Sequence, residues 1–369
     1  MPRHRKLNSE KFEVSVGSEL LERYFKKKLP DPNILQPKIV ADGSYIKELT
    51  EDLHDKGQEA LVKEILEDFT KIYDTGIRTM NVLIQSTNLY GIEHSGEESK
   101  AGLAMRLFLD HPDAFQYAYD RYCYFASSST LQEYKVEDAQ FKFTMSQLGE
   151  FKKLISSFYG KQEKGYDIDL RSYKDGTEYI IVIDRGSYLQ VKGIWENGKL
   201  KTITYRPANE DVLIFHKDTT ILSIKAPYDK DRKNYRATFY KAFLGEIEPE
   251  PKPDALYTLE PLQDGSFDYG GNESVRHVKL LSVKQKYPNK SSAVLTSKDL
   301  LKSLKSEFSD FSLSSGEIVH AKFRFRVILE DKEENVTVEI SPPNITDLYK
   351  KPYADIIADY LIEQKVKLK

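Results

Sequence analysis

Residues 167–193, DIDLRSYKDGTEYIIVIDRGSYLQVKG, decide the fold class of this 369-residue chain. Runs rich in Ile, Val and Tyr are punctuated by Asp175-Gly176 and Arg185-Gly186, and Asn197-Gly198 follows just beyond. Asn-Gly and Asp-Gly tolerate positive φ at both central residues, so they mark tight hairpins. The stretch therefore predicts an antiparallel meander in which each dipeptide is a two-residue loop. Tyr173 then opposes Glu178, and Ile183 opposes Tyr188.

The same stretch raises a chemical question. Asp167, Asp169 and Asp184 precede the triplet Gln190-Val191-Lys192, which is the linear order of a metal-dependent nuclease core. Side chains alternate between faces along a strand, so the predicted register assigns each one. Asp167, Asp169 and Asp184 fall on one face with Arg171, whereas Gln190 and Lys192 fall on the other with Ile181 and Ile183. A hydrolytic metal needs oxygen ligands converging on one ion, and a sheet between them prevents that. These five residues are the site of an alternative reading as a divergent nuclease, and the leading reading is a sheet with no metal and no cofactor.

Upstream, the periodicity is helical. SELLERYFKKK starts at a capping Ser18 and stops before Pro30, and EALVKEILEDFTKIY places Leu61, Ile65, Leu66, Phe69 and Ile72 at helical spacing. HPDAFQYAYDRYCYFASSS carries aromatic residues on more than one helical face. Phe115, Tyr119 and Tyr122 form the expected core stripe. Tyr117 and Tyr124 lie off it and are the candidate contacts for a protein partner, since tyrosine suits a surface that must be buried with its hydroxyl bonded.

Downstream, DVLIFH and TTILSIKA extend the sheet, and DKDRKNYRATFYKAFLG reads as a helix stopped by Gly245. EIEPEPKPDA, with Pro249, Pro251 and Pro253, reads as a linker. After it come further strands, a hairpin from IVHAKFRFRVIL to NVTVEIS, and the closing helix YADIIADYLIEQK. The expected organisation is α+β: a helical domain over 1–145, an antiparallel sheet with flanking helices over 146–247, a Pro-rich linker over 248–254, and a small α+β domain with a C-terminal helix over 255–369.

Within HAKFRFRVIL, His320, Lys322, Arg324 and Arg326 alternate with apolar residues, giving the strand one basic face. Arg276 and Lys279 in the neighbouring RHVKLLSVKQK add to it. His320, Lys322, Arg324, Arg276 and Lys279 are thus the nucleic-acid-binding candidates. The competing reading is a salt-bridged solvated face, with Arg326 set opposite Glu339.

Composition limits the function classes. With 55 basic and 58 acidic residues, the net charge of -3 supplies no global field for a polyanion or an anionic membrane. The single cysteine, Cys123, excludes an intramolecular disulfide and suits a reducing cytosol. No run reaches the roughly 20 apolar residues of a membrane span. The basic first six residues are followed by no apolar h-region, so no secretory signal is expected. Glu51-x-x-His54 has the spacing of half a di-iron site, but it reads as a surface salt pair on a solvated helix. The nucleophile elbow, the phosphate loop and the dinucleotide fingerprint are all missing from the sequence. The expected function is accordingly non-enzymatic: an interaction or adaptor subunit of a bacterial cytosolic multi-component system, with antiviral defence as one setting. Its expected partner is a protein, with nucleic acid as the alternative and no membrane.

Overall fold

The computed structural model describes residues 7–29, 43–78, 80–126, 131–136, 141–196, 198–245, 255–308, 311–329 and 333–368. The chain is α+β and divides into two compact units, residues 1–127 and 128–369. The first unit is helical: α1 (Ser9–Val16), α2 (Ser18–Lys28), α3 (Tyr45–Asp55), α4 (Glu59–Arg78), α5 (Met80–Leu89), α6 (Lys100–Asp110) and α7 (Pro112–Ala126). Gly17, not Ser18, caps α2, and Ser18 is its first helical residue. The core joins Phe12, Leu21, Phe25, Ile65, Phe69 and Ile72, whose helical spacing puts them on inward faces. Leu66, expected among them, is exposed. The buried Glu13 carboxylate of α1 accepts the N–H groups of Gly43, Tyr45 and Ile46 at 3.0, 3.2 and 2.6 Å, which caps the start of α3 with negative charge.

The second unit contains β1 (Leu131–Lys135), α8 (Met145–Gly160), β2 (Ile168–Asp175), β3 (Glu178–Gly186), β4 (Gln190–Glu196), β5 (Lys199–Tyr205), β6 (Ala208–His216), β7 (Ile221–Lys225) and α9 (Asp229–Phe239). It continues through α10 (Glu260–Gln263), β8 (Val275–Lys286), β9 (Ser292–Thr296), α11 (Leu300–Ser306), β10 (Glu317–Ile328), β11 (Glu333–Ser341), β12 (Ile345–Thr346) and α12 (Ala354–Glu363). Ten strands form one antiparallel sheet in the order β2-β3-β6-β7-β1-β12-β11-β10-β8-β9. The two short strands β1 and β12 pair with each other at the centre. They join the strands of the expected middle and C-terminal segments into one sheet. The Pro-rich stretch expected between those segments lies outside the described residues.

Two cores sit on this sheet. Ile181, Ile183, Leu213 and Leu222 face Phe151 and Ile155 of α8 and Tyr235 and Phe239 of α9. Farther along, Val278, Leu280, Phe323, Phe325, Val336 and Val338 face Ile357, Tyr360 and Leu361 of α12. After α9 the chain makes a π-helical turn over Tyr240–Leu244 and stops at Gly245 in the left-handed region, the expected terminator.

The meander differs from its expected form in one consequential place. β2 pairs with β3 through Asp175↔Glu178, so the loop is Gly176-Thr177, displaced by one residue from the expected dipeptide. Because the pairing shifts by two, every side chain keeps its expected face. Arg185-Gly186 makes no hairpin at all. β3 runs through it and pairs with β6, ending at Gly186↔Ala208. Between these two strands the chain leaves the sheet as β4 and β5, a separate two-stranded ribbon.

Candidate functional site

The ribbon is fastened at its foot by a buried polar cluster. β3 delivers Arg185, whose Nε donates to Asp211 Oδ2 of β6 at 2.5 Å and whose Nη2 donates to Asp231 Oδ2 of α9 at 2.7 Å. Tyr235 donates its hydroxyl to Asp211 Oδ2 at 2.7 Å and receives that of Tyr159 at 2.9 Å. Lys164 reaches Asp231 Oδ1 at 3.4 Å. Two cations therefore meet two carboxylates with no net charge, which is what burial of all four requires. Burial alone would pull Arg185 down, but Asp211, Tyr235 and Tyr159 together outweigh it and hold the guanidinium above its ordinary value, fully charged.

The backbone closes the same foot. Arg206, just after β5, donates from Nη1 to Glu163 O at 2.6 Å and to Ser187 O at 3.2 Å, and Ser187 N donates to Pro207 O at 2.9 Å. Gly186 lies so close to the 163–165 loop that a Cβ there would stand 2.5 Å from Lys164 O. The half-exposed rings of Tyr188 and Tyr228 flank Lys164, each with its centroid 5.3 to 5.4 Å from the ammonium. The two legs of the ribbon thus leave the body from a fixed position.

Beyond the foot, the ribbon sorts its side chains by cross-strand pairing. Trp195↔Leu200, Gly193↔Thr202 and Val191↔Thr204 share one face, and Lys192↔Ile203 and Ile194↔Lys201 share the other. The first face is uncharged and open: Trp195 is 76% exposed, Leu200 67% and Val191 66%. Leu189, just before the strand, is also exposed. Contiguous apolar surface of this kind marks contact sites in soluble proteins. Trp195 is the only tryptophan in the chain, and tryptophan is the side chain most enriched at energetic centres of interfaces. The lone Trp, the alternation around it and the Asn197-Gly198 signal were all visible in the sequence; a fastened foot built from residues 159–235 was not.

The chain matches no known protein family and no curated protein. Its function has to be read from its own geometry.

The residues singled out in the sequence are distributed as follows. Asp169 and Asp184 sit directly opposite one another, and Arg171 bridges them, at 2.5 Å to Asp184 and 3.8 Å to Asp169. Asp167 is exposed before β2. Gln190 and Lys192 lie on the ribbon, with the Lys192 ammonium over the Tyr205 ring, so they belong to a different sheet and not to the opposite face of the same one. The structure does not bring the five together. Among the described residues, no three His, Cys, Asp or Glu side chains are placed to hold a metal ion.

Tyr117 and Tyr124, offered as accessible partner contacts, are buried. Tyr117 lies against the Tyr90 ring and under the Arg121 guanidinium. A multi-faced aromatic helix is covered on several sides here, so its periodicity alone does not mark a free surface.

The basic strand has its expected faces and a different register. Lys322, not Arg326, opposes Glu339, and they pair at 2.7 Å. Arg326 opposes Asn335 and pairs instead with Glu333, which Arg276 also approaches at 3.6 Å. Lys279 pairs with Asp299 at 3.3 Å, and His320 Nδ1 meets Ser341 Oγ at 2.8 Å. Arg324 alone of these candidates has neither a carboxylate nor a hydroxyl partner among the described residues, and it stands directly opposite Lys279. Most of the positive charge on this face is matched internally.

Proposed function

We propose that this chain is a non-enzymatic interaction subunit, an adaptor within a multi-component assembly, and that the β4–β5 ribbon is its contact element. The observation that carries this reading is the Trp195–Leu200 pair, side by side and exposed on an arm whose foot is locked by Arg185, Asp211, Asp231 and Arg206. A fixed arm loses little conformational entropy when it docks, so its apolar face contributes more of its burial to affinity. A reducing, cytosolic setting is supported by the single cysteine, Cys123, which is buried and has no second cysteine to pair with. Among the described residues no helix is long and apolar enough to cross a membrane.

The test is co-purification of the full chain from its native cells, wild type against the Trp195→Ser/Leu200→Ser double variant. The variant keeps the wild-type melting midpoint, because both side chains are already in water, and loses the associated proteins. Retention of the same proteins at the same yield would refute the ribbon as contact element.

A further inference from the structure

The ribbon has two faces of opposite character, and this restricts what the open one can meet. Among the described side chains of the ribbon, the charged ones, Lys192, Lys199 and Lys201, lie on the face opposite Trp195. The Trp195 face carries only Val191, Gly193, Trp195, Leu200, Thr202 and Thr204. A charged partner would find nothing complementary there. An uncharged, apolar partner face would, and the same face of another molecule meets it without opposing like charges.

We propose that this face is where two copies of the chain meet, packed face to face about a two-fold axis, with Trp195 of each copy seated over Gly193 of the other. The inference rests on the reading of the ribbon as contact element and names its occupant. Gly193 leaves a gap between Val191 and Trp195, and Leu200 walls it: a Cβ on Gly193 would stand 3.3 Å from Leu200 Cδ1. Successive side chains on one face of a strand are two residues, about 7 Å, apart. A two-fold axis lying between the faces and crossing β4 midway between Gly193 and Trp195 reverses the strand, and carries each indole onto the other copy's glycine. Knob and hole are then exchanged reciprocally, which is the condition for a closed, isologous pair. The lysines stay in solvent on the outer faces.

The contact is small. With an aromatic side chain burying about 150–250 Å² and a few aliphatic ones beside it, the pair buries on the order of 1,000 Å² in total, at the low end for specific interfaces. The dimer is therefore reversible and depends on concentration.

The test uses the full chain from about 1 to 100 µM, where mass action would populate such a dimer. Sedimentation gives the mass, and selective excitation of tryptophan reads Trp195 alone, despite 24 tyrosines. With rising concentration the mass should climb toward twice the monomer and the emission should shift to shorter wavelength. Gly193→Val fills the hole yet improves a strand position, so it should weaken the dimer at least tenfold without lowering the melting midpoint at about 1 µM, where the monomer prevails. Lys192→Ser, on the outer face, should change nothing. A wild type that stays monomeric overturns the second copy as occupant; if Trp195 is still needed to hold another protein in the co-purification, the contact element itself survives. A dimer that withstands Gly193→Val overturns the knob-and-hole geometry, and one that withstands Trp195→Ser/Leu200→Ser overturns the ribbon as well.

Discussion

Arg185 and Asp211 meet at 2.5 Å with both side chains fully buried, and this contact fixes where β3 ends and the ribbon begins. The guanidinium also lies over the Tyr159 ring, 4.4 Å from its centroid. Replacing Arg185 by Met would leave Asp211 and Asp231 buried with only the Lys164 ammonium nearby. Loss of one member of a buried ion cluster costs about 3–5 kcal/mol. Denaturant melts of Arg185→Met should show a loss of that order, and amide exchange over residues 190–205 should accelerate. A cost below about 1 kcal/mol would mean that the cluster is not what holds the ribbon's foot.

Gly186 and Gly193 give a matched pair of substitutions a few residues apart. A Cβ at Gly186 meets the backbone oxygen of Lys164 at 2.5 Å, and backbone cannot step aside cheaply. A Cβ at Gly193 meets the end of a flexible leucine at 3.3 Å. Gly186→Ala is expected to cost about 1–3 kcal/mol, as overpacking does, whereas Gly193→Ala should fall within about 0.5 kcal/mol of wild type. Equal melting midpoints for the two variants would contradict this.

The false hairpin at Arg185-Gly186 shows where sequence reasoning stops. The dipeptide carries a local turn signal, but the residues that overrule it, Asp211 and Asp231, are 26 and 46 positions downstream. No pattern within the stretch announces them. Side-chain faces survived the error in β2 and β3, because the period of two is insensitive to a shift of two. The Gly245 stop and the alternating face of β10 were legible for the same reason: each depends on residues adjacent in sequence. β1, five residues inside a region that reads as helical, was not legible; its place is set by pairing with β7 and β12.

A buried acid at the centre of the sheet predicts a pH dependence. Glu133 of β1 is fully buried, Tyr257 donates to its Oε2 at 2.9 Å, and Oε1 has no hydrogen-bond partner among the described residues. Burial pushes its carboxyl up to about 7, against the opposing pull of the Tyr257 hydrogen bond and the Lys367 ammonium. Because the folded form holds the proton more tightly than the unfolded one, the stabilisation is complete below about pH 4.5 and is lost as the pH rises through about 7. The shift corresponds to roughly 3 kcal/mol. Subtracting denaturant melts of Glu133→Gln from those of wild type, between about pH 4.5 and 8, should isolate that fall. A difference that stays flat across the window would show that Glu133 is ionised throughout.

On β10 the decisive residue is Arg324, because its neighbours are already matched. Lys322 is held by Glu339, and that contact keeps the Glu339 carboxyl below its usual range. Arg324 faces Lys279 across β8, and like charges directly opposite one another are destabilising. If the face is simply a solvated surface, Arg324→Glu should raise stability by about 0.2–1 kcal/mol, since a carboxylate would then stand opposite Lys279. Lys322→Ala should cost no more than about 1 kcal/mol, as expected for a half-exposed pair. If Arg324 and Lys322 instead serve phosphates, changing both to Ala would flatten the salt dependence of duplex binding by a slope of about 0.9 per lost contact. The expected outcome is the first: Arg324→Glu melts later than wild type, and salt titrations against a labelled duplex are the same for wild type and the double alanine variant. A flattened slope would instead reassign this face to nucleic acid and give the Arg324–Lys279 juxtaposition a ligand.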